Sequence, residues 1–100
     1  MRIIALKTLK KYDEKHPETE IALKVWKKKV EKSEWEKPSD ILQTFTHARP
    51  IKNGRVIFNI NKNDYRLIVA VNYKSGQVFI TFLDTHEEYD KIDPETVWNY

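Results

Sequence analysis

The alternation of apolar and polar positions divides the chain into a helical first half and a stranded second half. Residues 2–6 (Arg-Ile-Ile-Ala-Leu) are β-branched and apolar and predict a short strand. Over 7–15, Leu9 and Tyr12 recur at a helical spacing, while Lys10, Lys11, Asp13 and Glu14 fall on the other side. His16-Pro17 stops that helix, because the residue before a proline is pushed out of the α region. Pro17 suits the first turn of a second helix, and Glu18 and Glu20 suit its positive end. This helix is expected to reach about residue 32. Ala22, Trp26 and Val30 face inward, joined by Ile21, Leu23 and Val25, with Lys24, Lys27, Lys28 and Glu31 outward. Together the two segments predict a helical hairpin with one apolar side.

Residues 35–40 read as a connector and 40–45 as one further helical turn anchored by Ile41, Leu42 and Phe45. Residues 46–55 are polar and basic without a period, so they read as a loop carrying His47, Arg49 and Lys52. Three stranded runs follow, at 56–60, 65–72 and 77–84, separated by turn chemistry at 61–64 and 73–76. On the middle run Tyr65, Leu67, Val69 and Val71 share one face, and Arg66 lies on the other with Ile68 and Ala70. At the end of the last run, Thr85-x-x-Glu88 reads as a capping box. It places His86 in the first turn of a short helix and Tyr89 one turn later, with Asp90 and Lys91 crowded beside them. Trp98 and Tyr100 stand in a short tail after Asp93-Pro94. The fold expected is α/β of the α+β kind, one domain over 1–100. Its N-terminal helices pack on a mainly antiparallel sheet that they largely cover, and the first strand joins that sheet.

Composition narrows the chemistry. With 40% hydrophobic and 12% aromatic residues the chain should fold, and with no cysteine it has neither disulfides nor a thiolate metal site. His16, His47 and His86 lie too far apart for a short ligand spacing, so no metal is expected, and no phosphate or dinucleotide loop asks for a cofactor. Nothing at the start resembles a signal peptide and no run approaches membrane-spanning length, so the expectation is cytoplasmic, without a membrane partner. A net charge of +3 permits a nucleic-acid partner without demanding one. Lys24 and Lys28 fit a solvated helix face, with Glu20–Lys24 as an i, i+4 pair, or a footprint for RNA phosphates. Arg66, a cation inside an apolar strand, fits either an ion pair with an acid such as Asp84 or a rigid phosphate clamp.

Several of these stretches resemble one known family. Val56-Ile57-Phe58-Asn59-Ile60, Tyr65-Arg66-Leu67, Val78-Phe79-Ile80 and Thr85-His86-Glu87-Glu88-Tyr89-Asp90-Lys91-Ile92 look like HigB-type toxins of bacterial toxin–antitoxin systems. So do Met1-Arg2-Ile3-Ile4 and Trp35-x-x-Pro38-x-Asp40. The resemblance implies a RelE-like fold and an mRNA interferase that cleaves messages on translating ribosomes, at the 30S A site. It also implies a HigA-type antitoxin carrying a helix-turn-helix. Cleavage of this kind uses the RNA 2′-OH as nucleophile and needs no metal. The protein must move two protons and stabilise the phosphorane. On the resemblance His86 is the acid/base group and Arg66 the phosphate clamp. Tyr89 orients the nucleotide or shares proton transfer, and Lys91 adds charge. His47, Arg49 and Lys52 occupy the loop where related toxins contact RNA, with Lys24 and Lys28 as further RNA-binding candidates. Two other readings share the architecture: a non-catalytic RelE/ParE-like toxin that binds a protein, and an RNA-binding accessory domain.

Overall fold

A computed structural model describes residues 1–100. The stranded runs form one five-stranded sheet in the order β1-β5-β4-β3-β2. β3 (Arg55–Ile60), β4 (Tyr65–Asn72) and β5 (Gln77–Thr85) make the antiparallel meander that the period-two pattern predicts. The short first strand, β1 (Arg2–Ile4), joins the outer edge of β5 in parallel, with Arg2 opposite Gln77. The helices are α1 (Leu6–Lys15), α2 (Glu20–Glu31), α3 (Pro38–Thr44) and the four-residue α4 (His86–Tyr89). A 3-10 turn, Pro17–Thr19, joins the first two. This is an α+β fold, helices on a mostly antiparallel sheet.

Alternation along β4 decides both layers. Tyr65, Leu67, Val69 and Val71 face the main core, with Leu9, Leu23, Trp26 and Val30 of the helices. Each full burial of such a side chain contributes roughly 1.5–3 kcal/mol. An aromatic chain, Trp26–Phe58–Phe45–Trp35, stitches α2 and α3 to β3 through edge-to-face contacts 5.0–6.1 Å apart. Ile68 points the other way and joins Ile57 and Phe82 in a small second core.

The structure corrects the expected pattern in five places. Ile21 and Val25 are not inward: they are 78% and 49% exposed, because α2 buries the stripe Leu23, Trp26 and Val30 and leaves 21 and 25 on its flank. The third helix starts at Pro38, inside the predicted connector. Its N-terminus is closed by Asp40, whose carboxylate accepts the Glu36 and Lys37 amides at 2.9 and 3.3 Å. The loop over 46–55 contains an edge strand, β2 (Arg49–Ile51), too short and proline-interrupted to show a period. The capping box is half formed: Thr85 accepts the Glu88 amide at 3.3 Å, but the Glu88 carboxylate turns to Lys91. Lastly, α1, α2 and α3 cover only one sheet face.

The other face is covered by Tyr89 of α4 and by the segment after it. Ile92 and Val97 pack on the second core, and Trp98, 51% exposed, lies against Phe79. Arg55 holds this segment down. Its buried guanidinium donates to the carbonyls of Val97 at 2.6 Å and Pro94 at 3.3 Å and to Thr81 Oγ1 at 3.4 Å. Thr81 is the extra residue of a bulge, since Ile68 pairs with Phe82 and Val69 with Ile80. Its carbonyl accepts the Asn99 amide at 2.8 Å.

Candidate active site

The turn between β3 and β4 builds one end of the sheet. Asn61, Lys62 and Asn63 all have positive φ (53°, 65° and 143°), a costly run for non-glycine residues and the kind of strain that collects at functional sites. Two carbonyls of this turn are aimed at functional candidates. Asn63 accepts from Arg66 Nη1 at 2.7 Å, and Asp64 accepts the His86 amide at 3.1 Å. The β3–β4 turn, the start of β4 and the start of α4 therefore share one corner.

Arg66 is half-buried there. Nη1 also reaches the Tyr65 carbonyl at 3.2 Å, and the guanidinium lies over the Tyr89 ring at 5.7 Å. Tyr89 is wedged beneath it against Ile57, Ile68 and Phe82. Asp84 is opposite Arg66 across the β4–β5 pair, yet makes no ion pair with it. Its Oδ1 accepts the Thr85 amide at 2.8 Å and the Tyr12 hydroxyl at 3.4 Å instead. The ion-pair reading of Arg66 fails on that geometry. His86 is exposed at the rim, with Nε2 3.2 Å from Glu87 Oε1, and Lys91 is exposed and paired with Glu88 at 3.2 Å.

The RNA-binding candidates do not gather in one place. His47 lines a groove of about 420 Å³ with Trp26, Lys29, Phe45 and Asn59. Asn59 partners Arg66, so His47 lies at the Arg66 end of the sheet. Arg49 pairs with Ile57, which puts it on the outer face that also carries Arg66. Lys52 sits in the turn at the opposite end, where its carbonyl accepts the Arg55 amide. Lys24 and Lys28 are exposed on the helix layer, and Lys24 makes the predicted pair with Glu20 at 2.7 Å.

On the helix side of the corner stands a cluster that the sequence patterns did not single out. The Tyr65 phenol is buried with the rest of its strand face, but its hydroxyl donates to Glu18 and lies 3.5 Å from His16 Nδ1. His16 stacks on Tyr12 with ring centres 4.4 Å apart. The hydrogen bond to Glu18, with burial behind it, pushes the Tyr65 hydroxyl up to about 12. The same bond holds the Glu18 carboxyl below its usual range. Tyr12 is raised too, by burial first and then by Asp84. Only the outward bend at His16-Pro17 hinted at this cluster, since residues 16–18, 65 and 84 meet through the fold and not through spacing.

Chemically the corner offers a cation held by backbone carbonyls, an aromatic ring, two imidazoles and a carboxylate. That set can bind a phosphate, stack a base and move protons.

A family model described as HigB_toxin, RelE-like toxic component of a toxin–antitoxin system, matches residues 19–92. A protein named mRNA interferase toxin HigB, from Escherichia coli (strain K12), is 28% identical over 92 residues, 90% of this chain and 88% of its own length. An mRNA interferase HigB from Shigella flexneri matches to the same extent. Another, from Escherichia coli O6:H1, is 22% identical over 94 residues, 92% of this chain and 91% of its own.

Proposed function

The chain belongs to the HigB toxin family, the RelE-like toxic component of a toxin–antitoxin system, and from that premise we propose that the Arg66–Tyr89–His86 corner is where it cleaves RNA. It is an mRNA interferase, the activity for which its relatives are named, and an antitoxin is its partner.

One observation carries the assignment of the site. Arg66 is fixed through Nη1 alone, by two carbonyls, over an aromatic ring and without a carboxylate partner. A guanidinium has five N–H donors, so those of Nε and Nη2 are left to grip a phosphate. The RNA 2′-OH attacks the adjacent phosphorus, and Arg66 stabilises the charge that builds on the phosphorane. Tyr89 supports Arg66 from below and offers its ring edge to a base. His86, exposed at the rim beside Glu87, carries one of the two proton transfers, and Lys91 adds positive charge. Arg49 extends the RNA path across the outer face, and His47, in the groove beside Trp26 and Phe45, extends it around the same end of the sheet. Lys24, Lys28 and Lys52, on other surfaces, act through the general field.

We further propose a cytoplasmic toxin that works on messages in the 30S A site, without a metal, and is neutralised by a HigA-type helix-turn-helix antitoxin. The exposed corner, reachable by an extended strand, supports the first point.

The test is induced expression with mapping of message ends for the wild type, Arg66→Ala and His86→Ala. Wild type should arrest growth and leave new ends. Both variants should stay folded, spare growth and cleave about 10²–10⁴-fold more slowly in purified reactions. Wild-type cleavage by both variants would move the site elsewhere.

A further inference from the structure

RNA cleavage by an internal 2′-OH needs two proton transfers, and the Arg66–Tyr89–His86 group assigned above uses one imidazole. Another stands on the helix side of the same sheet end, reached through Tyr65. Tyr65 is paired with Thr85, the residue before His86, and the Tyr65 hydroxyl is 3.5 Å from His16 Nδ1. We propose that His16 is a second catalytic imidazole of this site, oriented by Glu18, Tyr65 and Tyr12. The inference rests on the RNA-cleaving reading above. Neither His16 nor Glu18 falls within the residues that the family model matches.

The placement of His16 is tight. Its amide donates to the Tyr12 carbonyl at 2.8 Å, closing α1. Its own carbonyl accepts the Thr19 amide at 3.0 Å and the Thr19 hydroxyl at 2.8 Å, and Thr19 is fully buried. Pro17 forbids helix at 16, so the ring leaves the α1 axis and turns toward β4. There it stacks on Tyr12 and meets the Tyr65 ring edge at 5.6 Å. Nδ1 faces the protein, 3.5 Å from both Glu18 Oε1 and the Tyr65 hydroxyl. Nε2 has no partner, and the side chain is 35% exposed. An imidazole anchored through one nitrogen by a carboxylate, with the other nitrogen open, is arranged for proton transfer. His86 differs: its Nε2 is turned to Glu87 at 3.2 Å.

The neighbours fit supporting parts. Glu18, held ionised by the Tyr65 hydrogen bond, can balance an imidazolium as it forms. Tyr65, with its proton held to about 12, stays neutral and acts as a positioning residue. The other charged or titratable groups around the ring are Tyr12 and Asp13 on α1, Asp64 on the turn and Asp84 on β5. In the reaction the O2′–P bond forms as the 2′-OH proton leaves, and the P–O5′ bond breaks as O5′ gains a proton. The products are a 2′,3′-cyclic phosphate and a 5′-hydroxyl. His86 and His16 take one transfer each.

The test is single-turnover cleavage of ribosome-bound message by the purified chain, alongside RNA binding and thermal melting. His16→Gln should cut the rate about 10²–10⁴-fold with binding and melting unchanged, and His16→Asn serves should the glutamine variant misfold. Glu18→Gln should lower the single-turnover rate with RNA affinity unmoved, and Glu18→Asp should recover part of the loss. A message with sulfur in place of the leaving 5′-oxygen needs no proton on departure. Relief of His16→Gln by that substrate makes His16 the donor, and no relief makes it the acceptor; either supports the inference. Folded His16 variants that cleave at the wild-type rate overturn it and leave the RNA-cleaving reading standing. A rate loss matched by lost RNA binding overturns it as well. A wild-type chain that cleaves nothing overturns both.

Discussion

Arg55 and Arg66 stand on adjacent strands and meet opposite environments. Arg55 is buried among carbonyls, whereas Arg66 keeps donors open at the sheet's end. Only the second was legible in the sequence, as a lone cation in an apolar run; Arg55 hid at the end of a stretch that reads as loop. Tyr65 shows the same limit. Its face was legible from alternation, but its hydrogen bond to Glu18 joins residues 47 apart and has no local signature. That bond makes a pH prediction. The folded value, about 12, lies above the ordinary value near 10, so the native state favours the neutral phenol. The resulting stability is complete below about pH 10 and is lost as the pH climbs from there toward 12. Tyr65→Phe should remove one late step from the tyrosinate absorbance titration and flatten the alkaline fall in stability. Loss of a step near the ordinary value of about 10, with no late step removed, would show that the bond to Glu18 does not form in solution.

At the scale of elements, strands with period two were legible to within a residue, and the parallel placement of β1 on β5 agrees with the expectation that the first strand joins the sheet. Elements held by tertiary contacts were less so. β2 is three residues with a proline at its centre, stabilised by pairing with β3 and not by pattern. Ile21 and Val25 misled because a helix stripe in a run with apolar residues on several sides is chosen by the sheet beneath it. The cover on the outer face was not legible at all, since it depends on Arg55 reaching across to residues 94–97. Arg55→Met should loosen that cover without melting the meander. We expect a loss of about 1–3 kcal/mol, fast hydrogen exchange at the Asn99 amide and early proteolysis near Trp98. Unchanged protection of Asn99 would mean that Ile92, Val97 and Trp98 suffice to hold the segment.

For the whole molecule, a net charge of +3 is modest, and it is the arrangement that favours RNA. Arg66 and Arg49 share the outer face and Lys91 stands just beyond α4. Three phosphate contacts from these cations would give a plot of log affinity against log salt a slope near −2, roughly −0.7 for each contact. Arg49→Ala should flatten it by one such step in ribosome or RNA binding. Affinity indifferent to salt would sink the electrostatic account. The parallel pairing of β1 with β5 has a consequence for synthesis. Arg2 leaves the ribosome long before its partner Gln77 exists, and β1 must wait unpaired until 77–79 emerge. Two of the residues proposed for cleavage come still later than 77–79: His86 and Tyr89 follow β5, and Ile92 and Val97 must then close over the second core. A nascent chain halted anywhere before residue 86 carries helices and an unfinished sheet but no cutting corner. On the proposed site, interrupted translation of this toxin before residue 86 therefore yields fragments that lack the residues assigned to cutting.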